Sequence, residues 1–245
     1  MNVVNLLIVQ HYGVMAHATS EHGSHGGQRR ASYHHGDLPN ALTDAATDLA
    51  RAGGPDAVVL RAAARATGVS AAAAYRHFAD HGELLHAVRQ RALNALADAM
   101  RASLESGTPL PDPAQESVRR LRALGRAYIA FAMDNPGLFR TAFCRPEHPI
   151  PDMTSRLTGH GPFAIVSGVL DELVDNGVLA PDGRPGAEIA AWATVHGLAT
   201  LLLDGPLALL PEDERAAAIT RTSEFILAGI SAHASAPPQP PEPQG

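Results

Sequence analysis

The sequence predicts an all-α fold, and three observations carry that expectation. Alanine supplies much of the 45% hydrophobic fraction while aromatic residues make up only 4%, a balance that favours helices over β-sandwiches. Apolar residues recur at spacings of three and four from Asp37 almost to the C-terminus, and no segment alternates apolar and polar residues as a half-buried strand does. Clusters of proline and glycine cut this pattern into helix-sized pieces. With 245 residues the chain can bury one large or two modest cores without staples. Its single cysteine, Cys144, excludes an intrachain disulfide and any multi-cysteine zinc or iron-sulfur site.

The net charge of −6 is unevenly spread, and all 19 basic residues are arginine. Residues 1–111 carry nine arginines against nine acids, residues 112–245 ten against sixteen. That distribution argues against broad coating of nucleic acid and leaves room for a local basic surface in the first half.

The chain opens with an apolar run, Val3 to Val9, that has no basic residue before it, no small-residue cleavage pattern and too little length to span a bilayer. Neither secretion nor a membrane partner is expected, and the expected location is cytoplasmic. Met1 and Met15 both serve as candidate starts. Residues 1–32 are expected to form a flexible arm, because 16–32 are rich in Gly, His and Ser and lack periodicity.

Leu38, Leu42, Ala45, Ala46 and Leu49 form one apolar stripe that stops at Gly53-Gly54-Pro55, which predicts the first helix. Leu60 to Thr67 forms a short second helix, Gly68-Val69 a turn, and Ser70 to Phe78 a third helix with Ser70 as its cap. A fourth starts after Asp80, with Glu83 as capping-box partner, and runs to about Ser106. Three prolines within Thr108 to Pro113 mark a boundary. Beyond it, helices are expected over Glu116–Asn135, Gly137–Phe143, Phe163–Asn176, Gly186–Leu203 and Glu212–His233, with a loop over Pro146–Pro162. Five prolines among the last ten residues predict a disordered tail over 234–245.

Two short helices joined by Gly68-Val69 have the form of a helix-turn-helix over 59–78. Glycine supplies the turn geometry that side chains resist, and the apolar residue after it tucks beneath the crossing helices. Ala74 and Phe78, four apart, share the buried face of the third helix. Ala71, Ala72, Tyr75 and Arg76 then point outward as the candidate reader of a DNA groove.

Tyr33-His34-His35-Gly36-Asp37-Leu38, Leu60-Arg61-Ala62-Ala63-Ala64, Thr67-Gly68-Val69-Ser70 and Ala74-Tyr75-Arg76-His77-Phe78, followed by Asp80 and Leu84-Leu85, together resemble the tetracycline-repressor (TetR) family of bacterial transcription regulators. The resemblance covers residues 33–96. Asn135-Pro136-Gly137-Leu138-Phe139-Arg140 and Trp192-Ala193-Thr194-Val195-His196-Gly197 further resemble the WHG-type regulatory domain of one branch. The resemblance implies a homodimer whose recognition helices enter successive major grooves of a pseudo-palindromic operator in double-stranded DNA. It also implies a regulatory and dimerisation domain over 112–233 that holds a small apolar or amphipathic effector, and it implies no cofactor.

Under this resemblance Ser70 caps the third helix and reaches a phosphate, Tyr75 and His77 meet the backbone or a base edge, and Arg61 reaches DNA from the second helix. Ala71, Ala72 and Ala73 offer methyl contacts to thymine but no hydrogen-bond code, so specificity leans on Arg61, Tyr75, Arg76, His77 and duplex shape. Arg29 and Arg30 on the arm are minor-groove candidates. His81 stands where the family commonly has lysine, so binding is expected to tighten below about pH 6.5, the ordinary imidazole value. Val59 replaces the usual capping Ser or Thr.

For the effector, the candidate lining residues are Phe131, Phe139, Phe143, Phe163, Trp192 and His196, each of which also fits a plain core role. Two apolar faces on Gly186–Leu203 predict a helix covered on both sides: Ile189, Trp192, Val195, Ala199 and Leu202 on one, Ala187, Ala191, Thr194, Leu198 and Leu201 on the other. Ala216, Ile219, Ser223, Ile226 and Ile230 line the last helix, and a four-helix dimer interface built from two copies of this pair is expected.

Two other readings compete. His11, His17, His22, His25, His34 and His35 crowd the N-terminus and would serve a metal-responsive sensor, but they include no helical i, i+4 pair or companion carboxylates. An enzyme is disfavoured, since the chain has no Gly-x-Ser-x-Gly elbow, no phosphate-cradling glycine loop and no His-Glu-x-x-His helix. Pro146 separates Cys144 from His148 and breaks any helix that would align them.

Overall fold

A computed structural model describes residues 37–144 and 161–232. The arm with Arg29 and Arg30, the N-terminal histidines, residues 33–36 of the motif, nearly all of the Pro146–Pro162 loop and the tail lie outside those residues. Among the described residues there are α-helices, short 3-10 turns and no strand.

The first helix, α1 (Leu38–Gly53), starts with Pro39 in its first turn, where no N–H is needed. It ends where Gly54 adopts φ +74°. Its buried side is Leu42, Thr43, Ala46 and Ala50. Thr43 keeps a hydroxyl inside by donating to Pro39 O at 2.8 Å. A 3-10 turn over Pro55–Ala57 leads to α2 (Leu60–Ala66), which begins at Val59 with no side-chain cap, as the sequence implies.

The end of α2 shows why Gly68 is there. Gly68 N–H donates to Arg65 O at 3.2 Å and Val69 N–H to Ala64 O at 2.9 Å, the paired closure of a Schellman cap, which needs a left-handed residue. Gly68 has φ +73°, and a Cβ there would meet nothing within 4 Å. The constraint is backbone conformation and not space. Gly68→Ala is therefore expected to destabilise the chain by about 1–2 kcal/mol, with Gly68→Asn milder, as read by denaturant midpoints.

The third helix, α3 (Ala71–Tyr75), is capped by Ser70, whose Oγ accepts from Ala73 N–H at 3.1 Å. It stops three residues short of the expected Phe78. Arg76 and His77 donate to Ala73 O and Ala74 O, three residues back, and these tighter rings unwind the helical path. Phe78 still reaches the core beside Ala74.

Asp80 accepts from Glu83 N–H to cap α4 (His81–Glu105), while the Glu83 carboxylate reaches back to Ala79 N–H at 2.7 Å. Next come α5 (Pro113–Asp134), α6 (Pro136–Phe143), α7 (Pro162–Asp175), α8 (Ala187–Leu203) and α9 (Glu212–Ala232). The start of α5 precedes the expected Glu116 by a turn, because Asp112 caps it and Pro113 suits its first position. There Glu116 binds Arg119 and Leu110 N–H, which hold its carboxyl down at about 2.

α1, α2 and α3 form a small head on which α4 packs, and α5 runs through the body against α4, α6, α7, α8 and α9. One hydrophobic cluster joins head and body, from Leu42 to Leu202. The last two helices join this cluster over part of their surface. Ile219 and Ile226 of α9 and Trp192 and Val195 of α8 turn inward and pack on this cluster, and Ala187, Ala191, Leu198, Ala199 and Leu202 are buried in the protomer itself. One strip stays uncovered, taking Ile189 from one expected apolar face and Leu201 from the other: Ile189 (61% exposed), Ala193, Gly197 and Leu201 (42%) of α8, with Phe225 (71%) of α9. α5, α7 and α9 pack on the other sides of α8. Among the described residues no helix is long and apolar enough to cross a membrane.

Candidate nucleic-acid interface and inner cavity

The head presents its polar side chains on the turn and on α3. Ser70, Ala71, Ala72, Arg76 and His77 are exposed, Tyr75 is 47% exposed, and Ala73 is half-buried. Because Ser70 Oγ accepts from the backbone, its hydroxyl hydrogen stays available to a phosphate oxygen. Arg61 is exposed on α2, and so is Arg65 one turn later. Sequence reading passed over Arg65, although the i, i+4 spacing from Arg61 already places both on one helical face.

The arginines divide by their partners. Arg51 binds Asp48 at 2.5 Å and Arg91 binds Asp44 at 3.3 Å. Among the described residues Arg61, Arg65 and Arg76 enter no ion pair, which leaves three uncompensated cations around the turn. His81 opens α4 beside them, exposed and next to the Asp80 cap. Ser70, Tyr75, Arg76 and His77 thus follow one another along the turn and α3, and exposed guanidinium, hydroxyl and phenol groups of this kind can bind phosphate and base edges.

Within the body, α4 to α9 surround a cavity of about 80 Å³. Its lining is almost wholly apolar and includes Leu93 and Met100 of α4, Leu121, Leu124 and Tyr128 of α5, and Val166 of α7. Of the six expected lining residues, Phe143, Phe163 and Trp192 face it. Phe139 and His196 form a layer behind, with ring centres 5.0 Å from Phe139 to Phe143 and 4.8 Å from His196 to Phe143. Phe131 is buried elsewhere in the core cluster. Placement on α5 explains the difference: Leu121, Leu124 and Tyr128, at i, i+3 and i+7, point to the cavity, and that spacing is the signal by which Tyr128 was findable.

Tyr128 organises the wall. Trp192 Nε1–H, 64 residues away, donates to Tyr128 Oη at 3.1 Å, and Tyr128 Oη lies 2.8 Å from His196 Nδ1. Indole can only donate, so Tyr128 Oη accepts from Trp192 Nε1–H, and one further hydrogen bridges Oη and His196 Nδ1. Burial acts in the same sense on both partners, raising Tyr128 well above the ordinary phenol value and lowering His196 below the ordinary imidazole value. The network is therefore neutral.

A pH dependence follows. Above about pH 6.5 the imidazole is neutral in both the folded and the unfolded chain and contributes nothing. Below it the unfolded chain takes up a proton that folded His196 resists, so stability is lost as pH falls from 6.5 toward the lowered folded value. Melting temperatures between pH 7.5 and 5.5 should decline, and His196→Gln should remove part of that decline. An identical slope in the variant would assign the effect to other groups.

Two charged side chains reach the cavity rim, Arg122 and Glu188. Glu188 is neutralised by Arg184 Nη1 at 2.6 Å, and Arg184 also holds Asp171 at 2.6 Å. Among the described residues no group of three His, Cys, Asp or Glu side chains is arranged to hold a metal ion.

Comparison with known proteins places both parts. Residues 42–88 match the family model described as bacterial regulatory proteins, tetR family, and residues 121–224 match that of the tetracyclin repressor-like C-terminal domain. The chain is similar to the solved structure of a Rhodococcus sp. RHA1 protein of unknown function, with 28% identity, 82% of this chain and 99% of that one covered, and a TM-score of 0.65. A putative tetR family transcription regulator from Shewanella sp. PV-4 shares the fold at 19% identity, 77% and 97% coverage and a TM-score of 0.55. So does RolR, solved in complex with its ligand resorcinol, at 18% identity, 82% and 94% coverage and a TM-score of 0.52. No functionally curated protein matches the chain.

Proposed function

The chain belongs to the tetR family of bacterial transcription regulators and is a DNA-binding regulator, and from that premise we propose that it is a ligand-responsive repressor acting on a pseudo-palindromic operator as a homodimer. The observation that carries this reading is the joining, through one continuous core, of a turn ringed by uncompensated arginines to an apolar cavity. A five-residue recognition helix spans few base pairs, so a second copy supplies the second half-site.

The strip of Ile189, Ala193, Gly197, Leu201 and Phe225 supports the dimer. Exposed large apolar groups gain from mutual burial, and the positions of Gly197 and Gly229 are open enough for a second backbone to approach. Residues 33–96 serve as the DNA-binding domain and 112–233 as the regulatory domain, with Arg61, Ser70, Tyr75, Arg76 and His77 as principal contacts. The effector acts by favouring the conformation that releases DNA, since equal affinity for both conformations shifts nothing.

Selection of bound duplexes from a random pool with the full chain tests the reading, together with light scattering. The expected outcome is an inverted-repeat consensus and a dimer mass. A chain that shows no sequence preference in low salt, or stays monomeric at micromolar concentration, overturns it.

A further inference from the structure

We infer that the ligand of the inner cavity is an amphipathic anion, its apolar end among the aromatic side chains and its negative head group held by Arg122 at the mouth. This rests on the reading of the cavity as the effector site and adds the charge of the effector and the residue that reads it.

The polar groups of the wall are committed elsewhere. Tyr128 satisfies both Trp192 and His196, Ser223 Oγ–H donates to Ile219 O at 3.1 Å, and Glu188 is held by Arg184. Arg122 is the exception. Its neighbours on α5 are compensated, Arg119 by Glu116 at 2.6 Å and Arg120 by Glu172 at 2.8 Å. Among the described residues neither Arg122 nor Arg126 has an ion pair, although those from 112 onward include thirteen acids against eight arginines. Two like charges at i, i+4 on one helix face repel each other, so helix stability does not account for them.

Position adds to charge. Arg122 lines both the cavity and a shallow cleft outside it, where Arg119 and Arg126 also stand. The enclosed space, about 80 Å³, is smaller than the roughly 150 Å³ that takes up a benzene molecule. It suits a slender apolar chain whose remaining atoms emerge at the mouth, and what they meet there is a guanidinium. A carboxylate or phosphate head satisfies it with charge-assisted hydrogen bonds at the edge of an apolar wall, where screening is weaker than in open water.

Trp192 is the sole tryptophan and lines the cavity, so its fluorescence reports occupancy directly. Full-length protein is titrated with octanoate, octyl phosphate and octan-1-ol below their aggregation limits, and release of the selected operator is followed in parallel. Either anion is expected to bind at least about tenfold more tightly than the alcohol in low salt. That preference should shrink with added salt and vanish in Arg122→Gln, while Arg122→Lys keeps part of it. The position is exposed, so both variants should melt like the parent. Equal affinity for octanol and the anions, a preference that survives Arg122→Gln, or no response of Trp192 to any of the three overturns the inference. Arg122-dependent binding without operator release leaves the ligand chemistry standing and removes the effector reading instead.

Discussion

Replacing Arg61, Arg65 and Arg76 together by alanine is expected to weaken binding to every duplex by roughly a hundredfold or more at moderate salt and to flatten its salt dependence. Each phosphate contact that is lost lowers the slope of log affinity against log salt by about 0.9, so six arginines in a dimer account for a change of about 5. The fold should be untouched: all three side chains are exposed and outside any ion pair among the described residues, and such surface changes stay within about 0.5 kcal/mol. Tyr75→Ala should behave differently, altering which sequences are preferred more than the salt slope, because a phenol reads a base edge or stacks on sugar and carries no charge. Titrations of a fixed operator at four salt concentrations separate the two. A triple variant with the parental slope would show that the phosphate contacts lie elsewhere.

Gly137→Ala is expected to lower the melting temperature by about 2–12 °C and to reduce operator affinity beyond what the lost stability explains. A Cβ built at Gly137 would lie 2.2 Å from Ala50 O and 2.6 Å from Arg51 O. Those atoms are backbone at the end of α1, so no side-chain rotation relieves the clash, and overpacking of this kind costs about 1–3 kcal/mol, or about 2–4 °C per kcal/mol at this size. The excess effect on affinity has a structural reason. α6 begins with this contact on the head and ends at Phe143 on the cavity wall, and Arg89 of α4 donates its Nε–H to Ala142 O at 2.9 Å beside that end. Forcing α6 away from α1 moves the element that lies between cavity and reader. Melting curves and operator titrations of the variant check both parts, and a parental melting temperature would show that α1 yields without cost.

Much of the fold was legible because helices announce themselves locally. The Ser70 and Asp80 caps, the glycine at the α2 turn and the proline-rich break before α5 all act within a few residues, and each stands where the sequence places it. The end of α3 was not legible, since the tightened turn at Arg76 and His77 depends on Phe78 reaching a core built by other helices. Arg65 had a local signal, its spacing from Arg61. Arg122 had none: Glu116, three residues earlier, marks the pairing of Arg119, but nothing local distinguishes Arg122 from Arg120, whose partner is the distant Glu172.

The sequence by itself determined the all-helical class, the positions of the helices and the grouping of Arg61, Ser70, Tyr75, Arg76 and His77 around one turn, because capping, turn geometry and i to i+4 spacing are short-range. Only the tertiary structure decided which apolar residues border the cavity, which lie behind it and which strip of α8 and α9 stays uncovered. Periodicity names a face of a helix but not the neighbour that will cover it. The union of Tyr128 with Trp192 and His196, 64 and 68 residues away, exists only once α5 and α8 have packed together.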